Sequence, residues 1–149
     1  MACCRSKGRM TEVWPHIAGR MRGGIHVLPV RVYFEDTDFG GVVYHANYLK
    51  FCERGRSDWL RLLGIHHHRL AGLVFVVRHM TCDFRRAARI DDLLEVETKL
   101  LDSTGARVGL AQEVRRGGET LFAATVTVAL VDSHGKPRRI PAEFAASFK

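Results

Sequence analysis

The sequence predicts an α+β domain in which one long helix packs on a single antiparallel sheet. Three observations carry this. A single amphipathic helical pattern falls near the middle of the chain. Five segments alternate or carry β-branched runs. The last three of these are joined by short glycine turns, which forces antiparallel neighbours. The order strand, long helix, four strands suits a two-layer solution, with one helix stripe buried against one sheet face.

Val27 to Glu35 alternates, with Leu28, Val30, Val32 and Phe34 on one face, and Pro29 sets its start at a sheet margin. From about Asn47 to Leu63, Tyr48, Phe51, Cys52, Gly55, Trp59, Leu62 and Leu63 recur at helical spacing. Lys50, Glu53, Arg54, Arg56, Asp58 and Arg61 lie mostly off that stripe, and Gly64 supplies the stop. At 1.5 Å per residue such a helix is roughly 25 Å long, the length of a strand of about eight residues. Leu73 to Phe84 is β-branched and aromatic. Leu93 to Leu101 sets Leu94, Val96, Thr98 and Leu100 against Glu95, Glu97 and Lys99. Ala106 to Arg116 sets Val108, Leu110 and Val114 against charge. Leu121 to Val131 pairs a bulky face with the small residues Ala123, Thr125, Thr127 and Ala129, as a closely packed central strand would. Ser103-Thr104-Gly105 and Gly117-Gly118 are the hairpin turns, and a short helix follows Pro141.

At 149 residues, with 46% hydrophobic and 26% charged residues, the chain suits one globular domain rather than a disordered one. The longest apolar run, Leu121 to Val131, is too short for a membrane-spanning helix. Residues 1–24 read as a flexible basic extension and residues 25–149 as the domain. The extension holds Arg5, Lys7, Arg9, Arg20 and Arg22 against Glu12, a large part of the formal +7, so the body itself is only mildly basic. That division weakens a nucleic-acid reading and suits an anionic small-molecule ligand as well. The extension lacks the apolar core of a secretory signal. Its Val13, Trp14 and Ile17 fit membrane contact, and Met10 and Met21 are alternative starts. Cys3, Cys4, Cys52 and Cys82 have no metal spacing and read as reduced thiols of a cytoplasmic protein.

Chemistry concentrates between the first strand and the helix. Asp36, Asp38, Gly40, Gly41, Tyr44 and His45 collect just before a helix N-terminus, whose unpaired N–H groups and partial positive charge favour an oxyanion. An acid beside such amides is a minimum for acyl transfer.

The run R-V-Y-F-E-D-T-D-F-G-G-V-V-Y-H-A-N-Y-L-K-F resembles the signature of the hotdog-fold acyl-CoA thioesterases, most closely the Tol-Pal-associated YbgC type and 4-hydroxybenzoyl-CoA thioesterase. E-R-G-R-S-D-W-L-R-L-L-G-I resembles that family's central helix, and F-V-V-R-H-M-T-C-D-F-R-R-A-A-R-I-D-D-L-L-E-V-E-T its next two strands. The likeness spans roughly Pro29 to Ile140. Ala87 stands where the family usually carries proline, and Gly55 where alanine is common.

The resemblance implies a hotdog fold, one long central helix wrapped by a five-stranded antiparallel sheet. It implies a homodimer, often paired into a homotetramer, with the site between subunits in a cytoplasmic, Tol-Pal-linked or peripheral membrane setting. It implies an acyl-CoA substrate hydrolysed to carboxylate and CoA, with no cofactor and no metal. The catalytic acid falls on Asp38, as nucleophile or general base for water. His45 orients Asp38 or the water, and the amide near Tyr44 and His45 polarises the carbonyl. Tyr44 and Tyr48 are candidates for the acyl pocket. Arg78, Arg86 and Arg89 are candidates for the CoA phosphates, with Arg85, Arg138 and Arg139 as further possibilities. Asp36 reads as a loop-building acid, Glu53 and Asp58 as solvated charges, and His66 to His68 as a polar loop rather than a metal site. Two rival readings remain: a hotdog hydratase or dehydratase, and a non-catalytic module binding partners through the basic tail.

Overall fold

The computed structural model describes residues 18–149. Cys3, Cys4, Met10, Val13, Trp14 and Ile17 lie outside the described residues. One sheet of six strands holds β1 (Arg20–Arg22), β2 (Ile25–Arg31), β3 (Val74–Phe84), β4 (Leu93–Thr104), β5 (Arg107–Arg116) and β6 (Glu119–Val131), in the spatial order β1-β2-β4-β5-β6-β3. All neighbouring strands are antiparallel. Helix α1 (His45–Leu62) crosses one face, and a short helix α2 (Ala142–Ala145) follows Pro141.

The sheet thus has six strands rather than five. The sixth, β1, lies inside the segment read as an extension, pairing Arg20 with Val27 and Arg22 with Ile25. Gly23 and Gly24 take φ of 56° and 80°, the conformation a two-residue hairpin turn demands. Because the pairing with β1 reaches only as far as Val27, Pro29 has no strand neighbour on that side among the described residues. The β4–β5–β6 meander matches the alternation, turning at Gly105-Ala106 and Gly117-Gly118. Leu94, Val96, Val108, Leu110, Val114, Phe122, Val126 and Leu130 form the inner face.

Helix α1 buries Tyr48, Phe51, Cys52, Gly55 and Trp59 as its spacing predicts, but Leu60 replaces Leu62, which is 45% exposed. Burial pushes the Cys52 thiol up to about 12, so it stays protonated. At Gly55 the helix lies against the sheet: a Cβ there would stand 3.0 Å from Val96 Cγ1 and 3.1 Å from Thr98 Oγ1. Thr98 cannot easily yield, because its hydroxyl accepts from Gln112 Nε2 at 2.8 Å.

Asp58 is buried rather than solvated. Its Oδ2 accepts from the Gly19 amide at 2.7 Å and lies 2.8 Å from His26 Nε2, while its Oδ1 pairs with Arg61. His26 is fully buried, so the acid ties the start of the sheet to the helix. A Cβ at position 19 would come within 2.5 Å of His26 Nε2, which is why the approach is made by glycine.

Two stability changes follow. Asp58→Ala strands a buried imidazole and a backbone amide and should cost about 2–3 kcal/mol in urea unfolding. Gly55→Ala gains about 1 kcal/mol of helix propensity but overfills a fixed contact costing about 1–3 kcal/mol, so its urea midpoint should fall.

Candidate active site

Asp38 sits at the tip of a tight loop between a 3-10 turn (Phe34–Asp36) and α1. Thr37 bridges Val43, the Asp38 amide donates to the Val42 carbonyl at 2.9 Å, and the Gly41 amide donates to the Asp38 carbonyl at 3.0 Å. The Asp38 carboxylate accepts the Gly40 amide at 2.8 Å. A Cβ on residue 40 would stand only 3.1 Å from that oxygen, and Gly41 needs φ of 76°. Gly41 is therefore required by the backbone of the turn, whereas a side chain at residue 40 would press only on the Asp38 carboxylate. In the single chain Asp38 is exposed.

Asp36, the first acid of the D-T-D run, is buried and builds the loop. Its carboxylate accepts the Tyr33 amide at 2.8 Å, and its carbonyl accepts the Tyr44 amide at 2.9 Å and the Asn47 side-chain amide at 2.8 Å. The loop is thus bound to the first turn of α1. Asn47 was not singled out by sequence reasoning; a polar residue on the inner side of a helix's first turn is the signal that could have found it.

The N-terminus of α1 is bare. Tyr44 makes no side-chain cap bond, and no acidic residue stands in the first turn. Beside it opens a cleft of about 280 Å³ lined by Val43, His45, Tyr48, Phe84, Arg85, Arg86 and Ala87. The Tyr44 and His45 rings lie 4.4 Å apart, and His45 meets Phe84 edge-on at 6.2 Å.

Tyr48 belongs to the core and also forms part of the cleft wall. It is 3% exposed, stacks on Phe122 at 5.3 Å, and its hydroxyl accepts the Ala88 amide at 3.0 Å. Burial raises its pKa, partly offset by the Ala88 amide. The segment it holds pairs back on the loop: the Val43 amide donates to the Ala88 carbonyl at 2.9 Å, and Val42 bridges Arg89. The same segment is fixed by Asp92, which accepts the Arg89 amide and an Arg116 guanidinium, both at 2.8 Å. Partial burial opposes ionisation of Asp92, but these two donors outweigh it and hold the carboxyl below its ordinary value.

Of the phosphate candidates, the structure brings Arg86 and Arg89 to this end of the sheet, with Arg85 in the cleft wall. Arg86 pairs with Glu119 at 3.3 Å and Arg85 with Asp83 at 2.7 Å, both exposed. Arg78 is not among them. It stands at the bulge of β3, six residues before Phe84 and so about 20 Å along the strand. Arg138 lies where the chain returns to Leu130, at the far end of β6. Glu53 is exposed and takes the Ser57 hydroxyl at 2.6 Å. His67 begins a 3-10 turn (His67–Arg69) and reaches Ser57 at 3.4 Å. Among the described residues no three His, Cys, Asp or Glu converge on one point, and no helix is long and apolar enough to cross a membrane.

One long helix laid on an antiparallel sheet, with an acid loop before its N-terminus, is the arrangement of a hotdog domain. The chain belongs to the thioesterase-like superfamily, whose model matches residues 32–148, and within it to the YbgC type. The acyl-CoA thioesterase YbgC of Haemophilus influenzae is 47% identical over 125 residues, covering 81% of this chain and 92% of that protein. The acyl-CoA thioester hydrolase YbgC of Escherichia coli is 43% identical over 129 residues, covering 81% and 93%. Among solved structures, a probable thioesterase from Bartonella henselae superposes with a TM-score of 0.76 at 48% identity, covering 78% of this chain and 99% of that one. A 1,4-dihydroxy-2-naphthoyl-CoA thioesterase from Synechocystis, at 21% identity and a TM-score of 0.78, covering 84% and 96%, shares the fold.

Asp92 also sets a pH dependence. Its folded pKa is depressed, so its contribution is present above the unfolded carboxylate value near 4 and is lost as the pH falls through the folded value. Acid unfolding of Asp92→Asn should show a shallower loss of stability below about pH 4 than the parent protein.

Proposed function

We propose that the chain hydrolyses an acyl-CoA thioester to a free carboxylate and CoA. The observation that carries this reading is the uncapped N-terminus of α1, bound through Asp36 and Asn47 to the loop that presents Asp38. A thioester carbonyl placed at the amides of His45 and its neighbours meets N–H donors and the positive end of the helix dipole. Negative charge building on that oxygen is stabilised there more than in the ground state. Asp38 supplies the other half, attacking the carbonyl carbon to form a mixed anhydride or drawing a proton from the attacking water. Collapse of the tetrahedral species expels the CoA thiolate, and in the first route water then cleaves the anhydride, releasing the carboxylate and restoring Asp38. The His45 ring orients the acid or the water, and Tyr44 flanks the acyl group. Arg86 and Arg89 hold the phosphates. The YbgC relatives, named for acyl-CoA thioester hydrolysis, support this assignment.

The working unit in this reading is a cytoplasmic homodimer or homotetramer. Phe39, Phe34, Tyr33 and Tyr44 are 110%, 81%, 63% and 47% exposed around the acid loop, an apolar surface that suits burial against a second copy. The eleven-residue strand β3 is an open sheet edge carrying Val74 and Val77 half exposed. Arg78 joins the phosphate set only across such an interface.

Thiol release from short, long and aromatic acyl-CoAs tests the reading. Asp38→Asn should melt with the parent yet lose at least about 100-fold in kcat. Parent-like turnover in that variant overturns the assignment of Asp38. Hydration of crotonyl-CoA without thiol release would assign the hydratase reaction instead. Phe39→Asp should leave a smaller particle in light scattering; an unchanged mass removes this loop from the interface.

A further inference from the structure

A second cavity lies further along α1, against Phe148 of the C-terminal segment. Its volume is about 140 Å³, close to the ~150 Å³ apolar cavity known to hold benzene. Trp59, Phe75, Leu110 and Val128 form its apolar walls, and Phe148, 5.6 Å from the Trp59 ring, closes it. Arg56, eleven residues after His45 and so about 16 Å further along the helix, lines the same space.

Arg56 is unusual for a cation in such a place. Its Nη1 donates to the neutral Gln112 amide oxygen at 2.8 Å, and it makes no ion pair among the described residues. Gln112 is itself fixed, donating to the Cys52 carbonyl and to Thr98, so it cannot turn away. Burial holds the guanidinium below its ordinary value, with the charge of Glu53 opposing that effect. The titratable groups facing the space are Arg56, Glu53 and His67. Ser57 stands between the last two, its hydroxyl donating to Glu53 and lying 3.4 Å from His67 Nε2. One rim therefore offers polar partners, while the body of the cavity offers none.

A guanidinium has five donors, and a carboxylate matches its fork. We propose that this cavity is a binding site for a small monocarboxylate with a body of about six carbons, its carboxylate on Arg56 and its apolar part against Phe75, Leu110 and Val128. The ligand has the chemistry of the carboxylic acid that thioester hydrolysis releases, but the site is formed without Asp38 or His45 and stands whether or not those residues catalyse.

Sodium benzoate and its uncharged counterpart benzyl alcohol test this on the full-length protein, by calorimetry and by methyl NMR shifts of Val108, Leu110 and Val128. Benzoate should bind at least about tenfold more tightly, as a charge-assisted pair implies. Arg56→Met should abolish that preference and Arg56→Lys should keep part of it, while Asp38→Asn should bind as the parent does. Equal affinity for the two probes overturns the proposal, as does an absence of methyl shifts with benzoate, or shifts confined to residues around His45. The comparison of probes on the parent protein decides the matter even where Arg56→Met does not fold.

Discussion

One backbone carbonyl joins the parts of this molecule that matter to each other. The oxygen of Asp36 accepts from the Tyr44 amide and from the Asn47 side chain, so the acid loop and the helix start are a single unit. Those two bonds, with the pairing of Val42 and Val43 on the Ala88–Arg89 segment, set where the Asp38 loop stands relative to the start of α1. The second fastening is the Tyr48 hydroxyl on Ala88, which steadies the neighbouring segment from beneath. Both fastenings are buried, where hydrogen bonds are not exchanged for water and their geometry is kept.

The same economy explains why the helix end is left bare. A Ser, Thr or Asp at the cap would satisfy one of the free amides and add stability of about 1 kcal/mol. This chain places Tyr44 there instead and keeps acids out of the first turn. Its carboxylates stand a few residues earlier, one buried as framework and one at the loop tip. Local stability is given up at that end, and its amides stay available to an acceptor from outside the helix.

Most of the frame was legible because it rests on local pattern. Alternation identified β4, β5 and β6, the glycine turns fixed their pairing, and the D-T-D spacing located the acid loop. What escaped has a common cause: it depends on contacts between distant residues. Three-residue β1 has no periodicity and exists through pairing with β2 and the bond from Gly19 to Asp58. Asp58 looks like solvated charge until His26, 32 residues earlier, is laid against it. Arg78 shares the composition of the other arginines but not their end of the sheet. Tyr48 fits a pocket or a core by sequence; it stacks on Phe122 in the core and also lines the cleft beside His45.

The strand order also sets how the chain must assemble. Hairpins β4–β5 and β5–β6 close over turns of two residues, but β3 pairs with β6, joining Val74 to Val131 and Phe84 to Phe122 around the outside of the meander. The β2–β4 pairing likewise waits for α1 and β3 to be looped out between Arg31 and Leu93. Closing such loops costs entropy before their contacts repay it, which slows folding relative to a helical bundle of local contacts. Until β3 docks, β6 is an open edge, and a crowded nascent chain has that interval in which to pair wrongly.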